Sequence, residues 1–154
     1  MKMRLAPATV SPAAYYAMLG LESFLSESSN LEVSLLKLVK MRASQINGCA
    51  FSIDIHSRDA RANGETEQRL YALSAWRETS FFTNRERAAL AWTEALTLIA
   101  QARPPDELYT EVRKEFGEEG LVSLSLAIAS INSWNRLAIG FPETRGEYQP
   151  CKIL

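Results

Sequence analysis

Cys49, Ser52 and His56 are the side chains of this sequence best spaced for chemistry. Asn47-Gly48, just before them, is a loop signal, and apolar spacing resumes afterwards, which places the thiol at or near a helix N-terminus. At about 100° per helical residue, the three side chains fall within roughly 60° of one another on one face. The positive end of a helix dipole favours the reactive thiolate, and a histidine on the same face can exchange its proton. A dithiol redox site would read Cys-x-x-Cys; here the second sulfur is a hydroxyl.

Blander roles compete with each of these. Cys49 can be a small buried hydrophobe, and His56 a structural histidine. Ser52 fits a helix-face hydroxyl bonded back to the backbone or to His56 better than a nucleophile, because no base-plus-oxyanion arrangement accompanies it. One histidine with Asp54 and Asp59, and no second His or Cys at ligand spacing, gives no expectation of a metal. Asp59 and Asn63 extend the face that carries His56, as further polar support or as a solvated surface. Cys151 lies in a tail after Pro150 and would have to fold back to meet Cys49, so no disulfide is expected.

The elements that must hold these residues read as helices almost throughout, with no long strict alternation. Ser11-Pro12 opens the first, which runs to about Leu25. Asn30 is the expected cap of a second helix through Ser44, and Asn47-Gly48 separates it from a third running from Cys49 to about Ala62. Thr66 opens a short helix through Trp76. Thr83-Asn84-Arg85-Glu86 has capping-box spacing before a helix to Ile99. Asp106 to Phe116 forms another, stopped at Gly117, and the last and most apolar helix covers about Glu118 to Ile139. Trp76, Trp92 and Trp134 are expected in the core or at a subunit interface. The expectation is an all-α fold, an irregular bundle of six to seven helices, with residues 1–154 in a single domain.

Composition narrows the function classes. With 47% hydrophobic and 23% charged residues, the 154-residue chain has a globular rather than a disordered make-up. Seventeen basic against eighteen acidic residues leave a net charge of −1, which removes the electrostatic case for nucleic acid. Apolar runs such as Leu124 to Ala129 are too short to span a bilayer. Lys2 and Arg4 are not followed by an apolar block of signal-peptide length, so a reducing, cytoplasmic location is expected.

Residues 35–49, Leu-Leu-Lys-Leu-Val-Lys-Met-Arg-Ala-Ser-Gln-Ile-Asn-Gly-Cys, resemble the core of the carboxymuconolactone decarboxylase and alkylhydroperoxidase D superfamily. So do Gly64 to Glu78, Thr83 to Leu96 and Ile131 to Leu137, which carries the resemblance over most of the chain from about residue 15 to 140. In the peroxidase branch a glutamate, a Cys-x-x-Cys pair and a histidine four residues after the second cysteine do the work. Cys49 matches the first cysteine and His56 the histidine, but Ser52 stands in the place of the second cysteine and Lys37 in that of the glutamate. A serine cannot climb the sulfenic ladder or close a disulfide. Lys37 would favour a thiolate at Cys49 if the two were close, yet an ammonium accepts no proton.

The resemblance therefore implies an antioxidant protein with an incomplete redox pair, weak or inactive toward hydroperoxides as written. Cys49 would be its redox-active thiol, with Ser52, His56 and Lys37 as the other site residues. Its partners would be a small hydroperoxide substrate, a thiol reductant protein and other copies of itself, as trimers or hexamers, without a cofactor. A non-catalytic or thiol-switch helical module that binds a small ligand is the alternative reading. Carboxymuconolactone decarboxylation is a third, for which no residue set here speaks.

Overall fold

The computed structural model describes residues 4–142. Its elements are α1 (Pro7–Val10), α2 (Pro12–Glu27), α3 (Val33–Asn47), α4 (Ala50–Ala62), α5 (Glu67–Ala72), a 3-10 turn (Leu73–Glu78), α6 (Asn84–Thr97) and α7 (Asp106–Gly140). No strand occurs among the described residues, so the fold is the expected all-α bundle.

Local chemistry explains most boundaries. Pro12 sits in the first turn of α2 after Ser11. Thr83 and Glu86 exchange both bonds of a capping box at the start of α6, and the Thr66 side chain accepts from the Arg69 N–H at the start of α5. Gly117, inside α7, takes φ 69° and ψ −176°, so the chain breaks there between the two helices expected on its either side.

Three details depart from the expectations. Asn30 does not cap α3; it adopts φ 54°, and Glu32 holds the cap position without a side-chain bond. Asparagine tolerates the left-handed region, and here it completes a tight turn in which the Ser29 hydroxyl donates to Leu25 O and accepts from the Leu31 N–H. The helix from Thr66 tightens into the 3-10 turn beyond Ala72, with Ala75 off the helical conformation (φ −120°, ψ 30°). The single turn α1 buries no residue and is too short to leave an apolar period.

The core lies on two sides of α3. Leu35, Leu36 and Val39 pack with Ala88, Leu124 and Ile128 of α6 and α7, while Leu38 and Met41 join Leu70, Trp76 and Leu90 on the other side. With two faces buried against apolar neighbours, α3 turns a third, carrying Lys37 and Lys40, toward α2 and α4. Of the 16 residues of α2, only Leu25 is fully buried. That helix leans on the bundle and does not sit within its core. Trp76 and Trp92 are core residues, as expected; Trp134 lies elsewhere, beside a cavity. No described helix is long and apolar enough to cross a membrane.

The two glycine environments should give opposite outcomes. Gly117→Ala forces a side chain into a backbone region reserved for glycine and should destabilise by about 1–3 kcal/mol. Gly20→Ala meets nothing within 4 Å on α2 and should stabilise by about 0.4–1 kcal/mol. Urea denaturation of both variants checks the pair.

Candidate active site

The position of Cys49 follows from how α3 stops. Gly48 adopts the left-handed conformation (φ 68°, ψ 29°) that only a residue without Cβ takes cheaply. The Cys49 N–H then reaches back to Ser44 O at 3.0 Å, while its own carbonyl accepts the first bond of α4, from the Ile53 N–H at 3.0 Å. Cys49 thus closes one helix and caps the next, as its spacing implied. The thiol is buried, with 2% of the residue exposed, and donates to Ser52 Oγ at 3.2 Å.

Ser52 is held by more than Cys49. Asn135, fully buried on α7, gives one amide hydrogen to Ser52 Oγ and the other to Ser44 Oγ, both at 3.0 Å. Its carbonyl oxygen accepts from Asn47 Nδ2 at 2.9 Å, and the same Asn47 amide donates to Asn132 Oδ1 at 2.9 Å. Asn132 donates in turn to Ile128 O and Thr97 Oγ1. Every amide in this ladder has its orientation set by its partners, so the ladder holds the Ser52 oxygen rigidly.

Ser52 also faces an open cavity of about 880 Å³ lined mainly by α2, α3, α4 and the C-terminal half of α7. Cys49 is not among its lining residues; its sulfur lies one hydroxyl behind the wall. Lys37, Lys40, His56, Asp59 and Glu22 are among the polar residues of the lining. Lys37 Nζ donates to Asp59 Oδ2 at 2.7 Å. Lys40 pairs with Glu22 Oε2, and Glu22 Oε1 accepts from the Ser130 hydroxyl at 2.5 Å and from Trp134 Nε1 at 3.1 Å. Burial opposes ionisation of Glu22, but the Lys40 charge and these three donors outweigh it and hold its pKa below the ordinary carboxylate value.

His56 lies along the same helix as Ser52. It shares the cavity with Ser52 but its Nδ1 is sealed from solvent without a partner. Burial first, and then the charges of Lys40 and Lys37, push its pKa down to about 3 against the weaker pull of Asp59 and Glu22. The imidazole is therefore uncharged at neutral pH. Lys37 is spent on Asp59, not on Cys49.

Sequence reasoning brought out Cys49, Ser52, His56 and Lys37, and weighed Asp59 as polar support. It passed over Glu22, Lys40 and Asn135. A carboxylate at Glu22, on the same helical stripe as Tyr15 and Leu19, was a usable signal, as were two amides, Asn132 and Asn135, inside the most apolar helix. Cys151 lies outside the described residues. No cluster of potential metal ligands occurs among the described residues.

A thiol at a helix junction, one hydroxyl away from a half-apolar cavity in an all-α bundle, defines a class of small helical cavity proteins. The pattern of the carboxymuconolactone decarboxylase family matches residues 12–95, and the chain belongs to that family, in the superfamily of alkylhydroperoxidase D. The uncharacterized protein YdfG of Bacillus subtilis (strain 168) is 46% identical over 139 residues, 90% of this chain and 94% of that protein. YnjA of Escherichia coli (strain K12), also uncharacterized, is 31% identical over 107 residues, 68% of this chain and 57% of its own length. A crystal structure of a protein of unknown function from Agrobacterium tumefaciens, provisionally assigned to AhpD-type antioxidant defence, superposes with a TM-score of 0.89 at 41% identity, covering 96% of this chain and all of that one. The debrominase Bmp8 shares the fold at 22% identity and a TM-score of 0.76, over 86% of this chain and 70% of its own.

The depressed pKa of His56 makes the fold sensitive to acid. Below about pH 6.5 the unfolded chain binds a proton that the folded chain refuses until about pH 3, so stability falls as pH drops through that window, by at most about 1.4 kcal/mol per pH unit. Glu22, ionised more readily when folded, adds a loss of the same sign at lower pH. His56→Gln should flatten the stability profile between about pH 6.5 and 3, measured by urea titrations at a series of pH values.

Proposed function

We propose that this protein is an alkylhydroperoxidase D-type antioxidant running a slow, one-cysteine peroxide-reducing cycle. The observation that carries the reading is the contact from Cys49 Sγ to Ser52 Oγ, with Ser52 on the wall of the cavity. A hydroperoxide bound there is separated from the sulfur by the Ser52 hydroxyl, which must turn aside before attack, and this makes the cycle slow. The Cys49 sulfur attacks the outer peroxide oxygen, an S–O bond forms and the O–O bond breaks. The thiol is oxidised to sulfenic acid and the peroxide leaves as an alcohol, taking up the thiol proton. Ser52 offers no second sulfur, so an external thiol must condense with the sulfenic acid, releasing water and leaving a mixed disulfide. A second equivalent of thiol then restores Cys49. Exposed Val122, Leu126 and Tyr109 on α7 support the homo-oligomeric assembly expected of the family.

The burial of Cys49 behind Ser52 favours a second reading, in which the cavity binds a small ligand and the thiol stays reduced. Peroxide consumption with excess dithiothreitol separates the two. On the proposed function, wild-type turnover is slow, Cys49→Ala falls to the uncatalysed rate, and Ser52→Cys gains an order of magnitude or more. Mass spectrometry after peroxide treatment should find stoichiometric sulfenate at Cys49. Undiminished turnover in Cys49→Ala, or an unmodified thiol, would overturn the redox reading.

A further inference from the structure

The polar side of the cavity offers ammonium hydrogens, and its two buried carboxylates are already paired. Each lysine ammonium carries three hydrogens, and Lys37 and Lys40 each give one to a carboxylate of the described residues, Asp59 and Glu22. Both oxygens of Glu22 are taken, by Lys40, Ser130 and Trp134. Lys37 and Lys40 stand three residues apart on α3, so their stems are neighbours on one helix face. Beside them His56 Nδ1 is shut off from water without a partner, and at the His56 ring the two lysines outweigh the two carboxylates. The lining also carries four aromatic residues, Tyr15, Phe51, Trp134 and Phe141, with Tyr15 set edge-on to Trp134 at 5.1 Å.

The remaining charge on the lining is Glu27 of α2, exposed at the rim, where water screens it. Helix α7 contributes no charged side chain to the lining. An uncharged apolar guest would offer the spare ammonium hydrogens no acceptor, whereas an anionic oxygen would take them.

We infer that the cavity binds planar aromatic molecules carrying one weakly acidic oxygen, of the phenol or enol class, and holds them as oxyanions against Lys37 and Lys40. The ring packs against the aromatic residues, the oxygen takes the spare ammonium hydrogens, and the proton it loses goes to solvent. This binding shares its cavity with the peroxide reading but needs neither Cys49 nor an oxidant.

4-Nitrophenol tests it, because its anion and neutral form absorb at different wavelengths. Equilibrium dialysis and absorbance titration of the native protein between about pH 6 and 8, where His56 is uncharged and Glu22 ionised, read the dye as the titrating species. The expected result is saturable binding with the bound dye ionising about one pH unit or more below the free dye. 4-Nitroanisole, which cannot ionise, should bind about ten-fold or more weakly at pH 8. The double variant Lys37→Met/Asp59→Asn removes one ion pair without leaving a lone buried charge, and should return the bound dye's ionisation toward the free value. Absence of saturable binding, a bound dye that ionises at or above the free value, or equal binding of nitroanisole would overturn the inference. The readout contains no peroxide and no reductant, so its failure and that of the redox cycle are told apart.

Discussion

The left-handed turn at Gly48 is the constraint on which the site depends. It ends α3 and lets the Cys49 N–H close that helix while the Cys49 carbonyl opens α4. The two helices consequently run back along each other in one register. That register lays Lys37 of α3 against Asp59 of α4, and sets Ser52 and His56 along the same wall. A residue with a Cβ at position 48 would strain the turn, and a shift of the turn by one residue would rotate Ser52 and His56 about 100° away from the cavity.

The charged groups around that cavity answer to a different energetic logic from the two apolar clusters. Taking Lys37, Asp59, Lys40 and Glu22 out of water costs free energy that their mutual attraction only repays when the geometry is good and the remaining oxygens are bonded. Glu22 meets that condition, with donors from α3 and α7 on both its oxygens. It is also the polar tie between α2, which buries little, and the rest of the bundle. The cavity wall formed by α2 is therefore held by Leu25, one carboxylate and an aromatic edge contact between Tyr15 and Trp134, and not by an extensive core. Such a wall opens at less cost than the helices packed into the core.

The thiol sits in a closely fixed environment. In place of a second sulfur on the cavity wall there is a hydroxyl, gripped by Asn135 and by Cys49 itself. Neither lysine is spent on the sulfur; both serve carboxylates. Lys37, which the sequence suggested as a cation for Cys49, instead pairs with Asp59 and helps to keep His56 neutral. Relative to the pattern that the resemblance to the peroxidase branch supplies, Ser52 stands where the peroxide-attacking cysteine would be, and Lys37, in the place of the glutamate, is part of an ion pair with Asp59.

Sequence alone determined the all-helical character, the break at Gly117, the capping box at Thr83 and the place of Cys49 at a helix start. All of these are written in residues close together in the chain, through apolar periods, caps and glycine stops. It also brought Cys49, Ser52 and His56 to one face, because one helix carries them. Only the tertiary structure decided which of them meets the cavity, which lysine meets which carboxylate, and that Glu22, Lys40 and Asn135 belong to the site. Those contacts join residues far apart in sequence, such as Asn135 with Ser52 and Glu22 with Trp134. No local rule specifies them; they follow from the angles at which α2 and α7 pack on α3 and α4.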